Sequence, residues 1–227
     1  MLFNLSYKFI ALSVIGGLIF KYFPRIDIWF SSIFYKDGEF YLSDYPWIDY
    51  FYQSAHVGAL LLALIVIVTY VVVVETKLHK PGNEKAMRIK KACLFLLIAM
   101  LIGPVITVNG VMKEGIGRAR PTNVAEFGGD KIFTPAFTLA DQCSSNCSFV
   151  SGHASAGFFL VTLALVARRE WRRKVFWITL TYGGLIGMTR VAQGKHFLSD
   201  VIFAFVITYG VSKLVHYAMY REKDAFP

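Results

Sequence analysis

Six stretches of the chain lack Asp, Glu, Lys and Arg altogether: residues 9–20, 50–74, 92–112, 142–167, 175–189 and 201–212. A helix needs roughly 20 apolar residues to cross about 30 Å of hydrocarbon. The second, third and fourth stretches meet that length alone. The first gains length from Lys8 and Lys21, whose stems can snorkel. The fifth extends toward its basic neck at one end and Arg190 at the other, and the sixth reads as 196–220. The pattern predicts six transmembrane helices, hence an all-α polytopic membrane protein. KYFPRIDIW follows the first stretch without a small-residue cleavage pattern, so that helix is expected to be retained. IDIWFSSIFY reads as an interfacial segment. With no internal repeat, low-complexity tract or linker, residues 1–227 are expected to form one helical bundle domain.

The polar segments orient that bundle. Between the second and third stretches lie Lys77, Lys80, Lys85, Arg88, Lys90 and Lys91, and between the fourth and fifth lie Arg168, Arg169, Arg172, Arg173 and Lys174. The tail adds Arg221 and Lys223. Residues 24–50 hold only Arg25 and Lys36 against five acids. Basic loops stay in the cytoplasm, so both termini are expected inside, with loops 24–50, 113–150 and 190–196 facing outward. Composition agrees: 56% of the 227 residues are hydrophobic and 17% charged, too few charges for a soluble surface. The 20 Phe, 12 Tyr and 4 Trp suit a protein whose rings sit at lipid headgroups. A net charge of +9 would also suit nucleic acid, but its concentration in the inward loops argues against such a partner.

The outward helix ends carry charges that a bilayer protein does not keep without use. The third helix ends at Lys113 and runs into KEGIGRARP, bringing Arg118 and Arg120. The fourth begins at Ser151-Gly152-His153, the fifth ends at Arg190, and the sixth begins at His196 with Asp200 one turn further. Taken singly, a Lys snorkels, a His serves as a structural donor and an Asp suits the helix dipole. Together, at membrane depth, they imply a site. His196 and Asp200 at i and i+4 share a helical face, so the carboxylate can fix one imidazole nitrogen and leave the other as nucleophile or base. Phosphoryl transfer uses such a set, because Arg forks and a Lys point charge match the oxygens of a phosphate. The amides of Ser151, Gly152 and His153 at a helix start suit the same anion. One histidine would attack phosphorus and the other would protonate the leaving alcohol. No acidic cluster has metal-ligand spacing, so the expected chemistry needs no metal or other cofactor.

Lys113-x6-Arg120-Pro121, Ser151-Gly152-His153 and Arg190-x5-His196-x3-Asp200 resemble the three-part signature of the type 2 phosphatidic acid phosphatase (PAP2) family, which shares its pocket with vanadium haloperoxidases. The resemblance implies a phosphohistidine at His196, an orienting Asp200 and His153 as acid for the leaving group. It further implies that Lys113, Arg120, Ser151, Gly152 and Arg190 hold the phosphate. Val150 stands where the family usually has Pro, and Thr189 where it usually has Ser; neither change removes a catalytic group. GPVITVNGVMKEGIGRARP, EFGGDKIFTPAF, CSSNCSFVSGHAS, MTRVAQGKHFLSDV and YAMYREK are similar to the bacterial lipid A 4′-phosphatase branch. That branch implies a lipid substrate with a phosphorylated headgroup, most simply lipid A, met at the periplasmic face of an inner membrane without an obligate protein partner. Undecaprenyl pyrophosphate, phosphatidylglycerol phosphate and phosphatidic acid are rival substrates. A non-catalytic anionic lipid binder or transporter, and a haloperoxidase, are rival classes.

Outside the signature, Arg118 is assigned an accessory contact to phosphate or headgroup. Cys143 and Cys147, spaced to allow a disulfide, are equally compatible with free thiols. Cys93 reads as a small apolar helix residue, His56 as packed or hydrogen-bonded, His79 as part of the basic loop, and His216 as interfacial. Trp29, Trp47, Trp171 and Trp177 read as interface anchors. The phenylalanines of FGGDKIFTPAF, residues 127–137, are expected to cover the site or touch acyl chains.

Overall fold

A computed structural model describes residues 7–76 and 83–220. Lys77, His79 and Lys80 of the basic loop, and Arg221 and Lys223 of the tail, lie outside the described residues. The described chain is nearly all-α. Helix α1 (Tyr7–Tyr22) meets α2 (Arg25–Ser32) at an angle of 81°. Pro24 at the junction has no N–H to continue the first ladder. A short hairpin follows, β1 (Tyr35–Lys36) against β2 (Glu39–Phe40). Its turn takes Asp37 and Gly38 to φ 54° and 90°, the mirror-image geometry that matches strand twist.

Helix α3 (Pro46–Glu75) opens on a proline, whose missing N–H costs nothing there. Helix α4 (Glu84–Gly115) is capped by the Asn83 side chain, which accepts from the Ala86 amide. Over Leu101–Met112 it winds as a π-helix around Pro104. There the Thr107 hydroxyl donates to the Ile102 carbonyl at 2.7 Å, and Asn109 Nδ2 donates to the Pro104 carbonyl at 2.8 Å. Helices α5 (Gly152–Val166), α6 (Arg169–Ala192) and α7 (Leu198–Met219) complete the order.

By length and composition α3, α4 and α7 can cross a membrane, and the α1–α2 pair, bent by 81°, passes the same test only when its two helices are taken together. The six expected spans differ from this at the fourth and fifth charge-free stretches. Residues 142–151 carry Gln, Ser, Asn and Cys, whose side chains compete for backbone hydrogen bonds, and helix begins only after the Ser151 cap. That leaves α5 short. Helix α6 is long enough, but its first turns are basic. Leu12, Val14 and Leu18 on α1, with Leu60, Leu61, Leu64 and Ile65 on α3, are exposed, an apolar surface that water does not favour.

Helix α5 sits in the middle, packed against α3, α4, α6 and α7. Small residues permit its close approach to α6. A Cβ on Gly157 would lie 3.0 Å from the Gly183 Cα, and one on Gly183 would lie 2.4 Å from the Phe158 ring and 2.8 Å from its amide nitrogen. Gly187 makes the corresponding approach to Val201 on α7, at 2.2 Å. Phe149, Val150, Phe158, Val191 and Phe203 fill the core beside these contacts.

Adjacent glycines of α6 therefore differ in consequence. Gly183→Ala is expected to cost about 1–3 kcal/mol through overpacking, lowering the thermal unfolding midpoint in detergent. Gly184, with nothing within 4 Å of its would-be Cβ, should accept Ala without loss. Equal midpoints for the two variants would contradict the packing described.

Candidate active site

Helices α3, α5 and α7 start, and helices α4 and α6 finish, at the same end of the structure, where most of the expected site residues gather. Their framework is a buried ion network. Arg118, in the loop after α4, is fully buried. Its Nη1 donates to Asp200 Oδ1 at 2.6 Å and to Ser199 Oγ at 2.9 Å, and its Nη2 donates to Asp27 Oδ2 at 2.8 Å. Nε donates to the Thr134 carbonyl at 2.9 Å. Phe197 and Phe133 flank the guanidinium, with ring centroids 4.3 and 5.3 Å from Cζ. The accessory phosphate contact expected of Arg118 is thus corrected: four of its five N–H groups are directed to α2, α7 and its own loop. Asp27 completes the network by accepting from the Ser199 amide and hydroxyl at 2.9 and 2.6 Å.

Asp200 is held from every side. Besides Arg118, its Oδ2 accepts from the Ser148 hydroxyl at 2.5 Å and from the Phe197 amide at 2.8 Å. His196 lies beside it with Nδ1 3.5 Å from Asp200 Oδ2, too far for a good hydrogen bond. The shorter contact from Nδ1, 2.7 Å, goes to the Ser148 carbonyl. A carbonyl only accepts, so Nδ1 carries the proton and Nε2 keeps its lone pair. The tautomer is therefore set by a backbone oxygen, with Asp200 supplying charge nearby. Burial pushes the His196 imidazole down to about 4, against the opposing pull of Asp200, so the ring is neutral near pH 7.

The cations stand around this pair. Lys113 Nζ lies 3.5 Å from the position a Cβ on Gly152 would take, and Asn109 Oδ1 lies 2.7 Å from it, so a larger residue there would displace the Asn109 side chain. Arg120, partly buried, donates from Nη2 to the Asn146 carbonyl at 2.7 Å. Arg190 donates from Nη1 to Gln193 Oε1 at 2.5 Å and rests on the Tyr52 ring at 4.0 Å, while its buried Nε has no acceptor. Burial depresses both Arg120 and Lys195, and Lys195 is lowered further by the charges of Arg120 and Arg190. Cations held in mutual repulsion, one with an orphaned buried donor, are what an incoming multivalent anion relieves.

At the start of α5 the Ser151 amide donates to the Asp200 carbonyl at 3.2 Å, and its hydroxyl accepts from the Ala154 amide at 3.4 Å. The amide expected to meet phosphate is thus committed at Ser151. The Ser151 O–H and the helix-start amides of Gly152 and His153 are the groups that fit an anion. His153 packs edge-on to two α3 rings: His56 at 4.2 Å and Tyr52 at 4.8 Å between centroids. Among the described residues no group of three or more His, Cys, Asp or Glu is arranged to hold a metal ion.

Cys143 and Cys147 are joined by a disulfide with Cα atoms 5.6 Å apart. Between them Asn146 receives Arg120 on its carbonyl and gives its amide to Glu114 Oε1 at 3.2 Å. Phenylalanines 127–137 do not cover the site. Phe127 packs on Tyr35 and Phe40, Phe133 on Phe197, and Phe137 on Phe149 and Phe203. Phe40 in turn lies where a Cβ on Gly194 would be, which with its φ of 64° requires glycine there.

Reading the chain alone missed Asp27, Ser148, Gln193 and the α3 face. Asp49, Tyr52 and His56 follow at helical spacing three and four, a signal that was present. Nothing in the sequence pairs Asp27 with Arg118, or marks the Ser148 carbonyl.

A family model described as the PAP2 superfamily matches residues 91–224. The chain is similar to the lipid A 4′-phosphatase of Francisella tularensis subsp. novicida (strain U112), 34% identical over 210 residues, covering 91% of this chain and 92% of that one. It is also similar to lipid A 4′-phosphatases of Rhizobium leguminosarum, 33% identical over 83% of this chain and 84% of that one, and of Rhizobium etli (strain ATCC 51251 / DSM 11541 / JCM 21823 / NBRC 15573 / CFN 42), 32% identical over 83% and 77%. No solved structure matches the chain.

Arg118→Met would leave Asp27 and Asp200 buried and unpaired, a loss of about 3–5 kcal/mol, whereas Arg120→Met breaks one backbone contact at a partly exposed position. Thermal unfolding in detergent is expected to rank Arg118→Met far below Arg120→Met. Equal midpoints would contradict the buried network.

Proposed function

The chain belongs to the PAP2 superfamily and is a phosphatase, a phosphoric monoester hydrolase, and from that premise we propose that it removes the 4′-phosphate of lipid A. The enzyme is a single domain over residues 1–227 in a bacterial inner membrane. Six spans, counting α1, α3, α4, α5, α6 and α7, keep both termini in the cytoplasm and turn the site to the periplasm. What supports the substrate is that three relatives, similar over most of the chain, are lipid A 4′-phosphatases.

What supports the chemistry is the single commitment of His196 Nδ1–H to the Ser148 carbonyl, which leaves Nε2 as a nucleophile. Its lone pair attacks phosphorus; a P–N bond forms as the bond from phosphorus to the 4′ oxygen breaks. His153, which takes up a proton from the substrate's phosphate as it binds, gives that proton to the departing oxygen, so a neutral alcohol leaves. Lys113, Arg120 and Arg190 balance the charge on the equatorial oxygens, aided by the Ser151 hydroxyl and the Gly152 amide. Phosphorylated His196 is a cation, and the Asp200 carboxylate beside it offsets that charge. In the second step water loses a proton to the now neutral His153, its oxygen bonds to phosphorus and the P–N bond breaks. Inorganic phosphate leaves with both histidines restored. No step calls on a metal ion.

The test is mass spectrometry of lipid A incubated with purified protein in detergent, without added metal, beside His196→Ala. Wild type is expected to remove one phosphate from the distal glucosamine, and the variant to lose more than about a thousandfold in rate. Intact lipid A, with phosphate released instead from undecaprenyl pyrophosphate or phosphatidic acid, would reject the substrate. Undiminished turnover by His196→Ala would reject the mechanism.

A further inference from the structure

Helix α3 lies outside residues 91–224, the part matched by the family model, yet one of its faces is turned to the site. Asp49 Oδ1 accepts from Gln193 Nε2 at 2.8 Å, and Gln193 Oε1 accepts from Arg190 Nη1 at 2.5 Å. One turn on, the Tyr52 ring carries the Arg190 guanidinium on its face, with Cζ 4.0 Å from the centroid. The same ring meets His153 edge-to-face, at 4.8 Å and 86°. A further turn on, His56 meets His153 at 4.2 Å and 83°.

We infer that Tyr52 is a positioning residue that fixes Arg190 and His153 relative to one another. The inference rests on the phosphatase reading, in which Arg190 holds an equatorial oxygen and His153 protonates the leaving group. Those two groups act on opposite sides of the same breaking bond, so their separation must be kept while the bond lengthens. A rigid ring contacting both does this, since a flat face suits a guanidinium and an edge suits an imidazole. The Asp49–Gln193 pair holds the other side of Arg190, so the guanidinium turns about a fixed point unless the ring supports it. The Tyr52 phenol oxygen also meets Arg190, but the contacts that join Arg190 to His153 are made by the ring, which Tyr52→Phe keeps.

Rates on lipid A are to be compared for Tyr52→Leu, Tyr52→Phe, His153→Asn and the double variant Tyr52→Leu/His153→Asn. Each rate is divided by the fraction of protein eluting monodisperse, with Tyr52→Met as the second variant if Tyr52→Leu yields too little. Tyr52→Phe is expected within about twofold of wild type, and Tyr52→Leu to lose about 10–100-fold in kcat with a smaller change in KM. In the His153→Asn background the loss from Tyr52→Leu should shrink at least fivefold, roughly, because the group it positions is gone. Unchanged kcat for Tyr52→Leu, equal loss in Tyr52→Phe, or fully additive losses would overturn the inference. Failure of the phosphatase reading is separate: it is marked by wild type and His196→Ala behaving alike.

Discussion

A guanidinium buried between two carboxylates determines how the site-bearing end of this protein is assembled. Arg118 and both acids are fully buried. Charges out of water cost several kcal/mol each unless paired and hydrogen-bonded. Here four donor contacts from Arg118, together with Ser148, Ser199 and the Phe197 amide, meet that requirement. The consequence is geometric. Helix α2 enters through Asp27, the loop after α4 through Arg118 and Thr134, and α7 through Ser199 and Asp200. None of these can shift without exposing a buried charge. Since Asp200 also receives Ser148, whose carbonyl receives His196, the orientation of the His196 ring is tied to the same network.

Two other constraints act on this frame. Alternating helix direction brings the ends of α4 and α6 to the starts of α3, α5 and α7, so cations and imidazoles spaced far apart in the chain converge. Close helix contact then sets their distances. Gly152 lets Lys113 and Asn109 approach the start of α5, and Gly157, Gly183 and Gly187 let α5, α6 and α7 pack without intervening side chains. The π-wound segment of α4 belongs to the same arrangement, for Asn109 lies within it and Lys113 directly follows. Of the loop aromatics, Phe133 packs inward, and with Phe197 it shields Arg118 from water and strengthens its pairing.

Much of this was legible in the sequence because charge in an apolar chain is rare and carries position. The absence of charge located the membrane-length helices α3, α4 and α7, and the signature residues fell at the helix ends that the structure brings together. Arg118 differs from its expected role for a physical reason: an Arg between Lys113 and Arg120, two residues of the signature, looks like a third cation of the same set until its partner is known. That partner, Asp27, lies 91 residues away on another helix. Ser148 acts on His196 through a backbone carbonyl, which every residue has, so composition could not mark it. The fourth helix starts at Ser151 as its sequence indicates, and it is shorter than its charge-free stretch because uncharged is not the same as apolar: Ser, Asn and Gln make the first ten residues of that stretch a loop. Tyr52 and His56 looked like ordinary helix residues because their partners, Arg190 and His153, are supplied by α6 and α5.

The central claim is that His196 Nε2, freed by the bond from Nδ1 to the Ser148 carbonyl, becomes covalently phosphorylated. The most direct measurement is rapid quenching of the enzyme during turnover, followed by peptide mass spectrometry under alkaline conditions that preserve phosphoramidates. A phosphate on the peptide containing His196, assigned to Nε2 of that ring, is the predicted result. Turnover with no phosphorylated His196 at any quench time, or with phosphate carried on another residue, would contradict it.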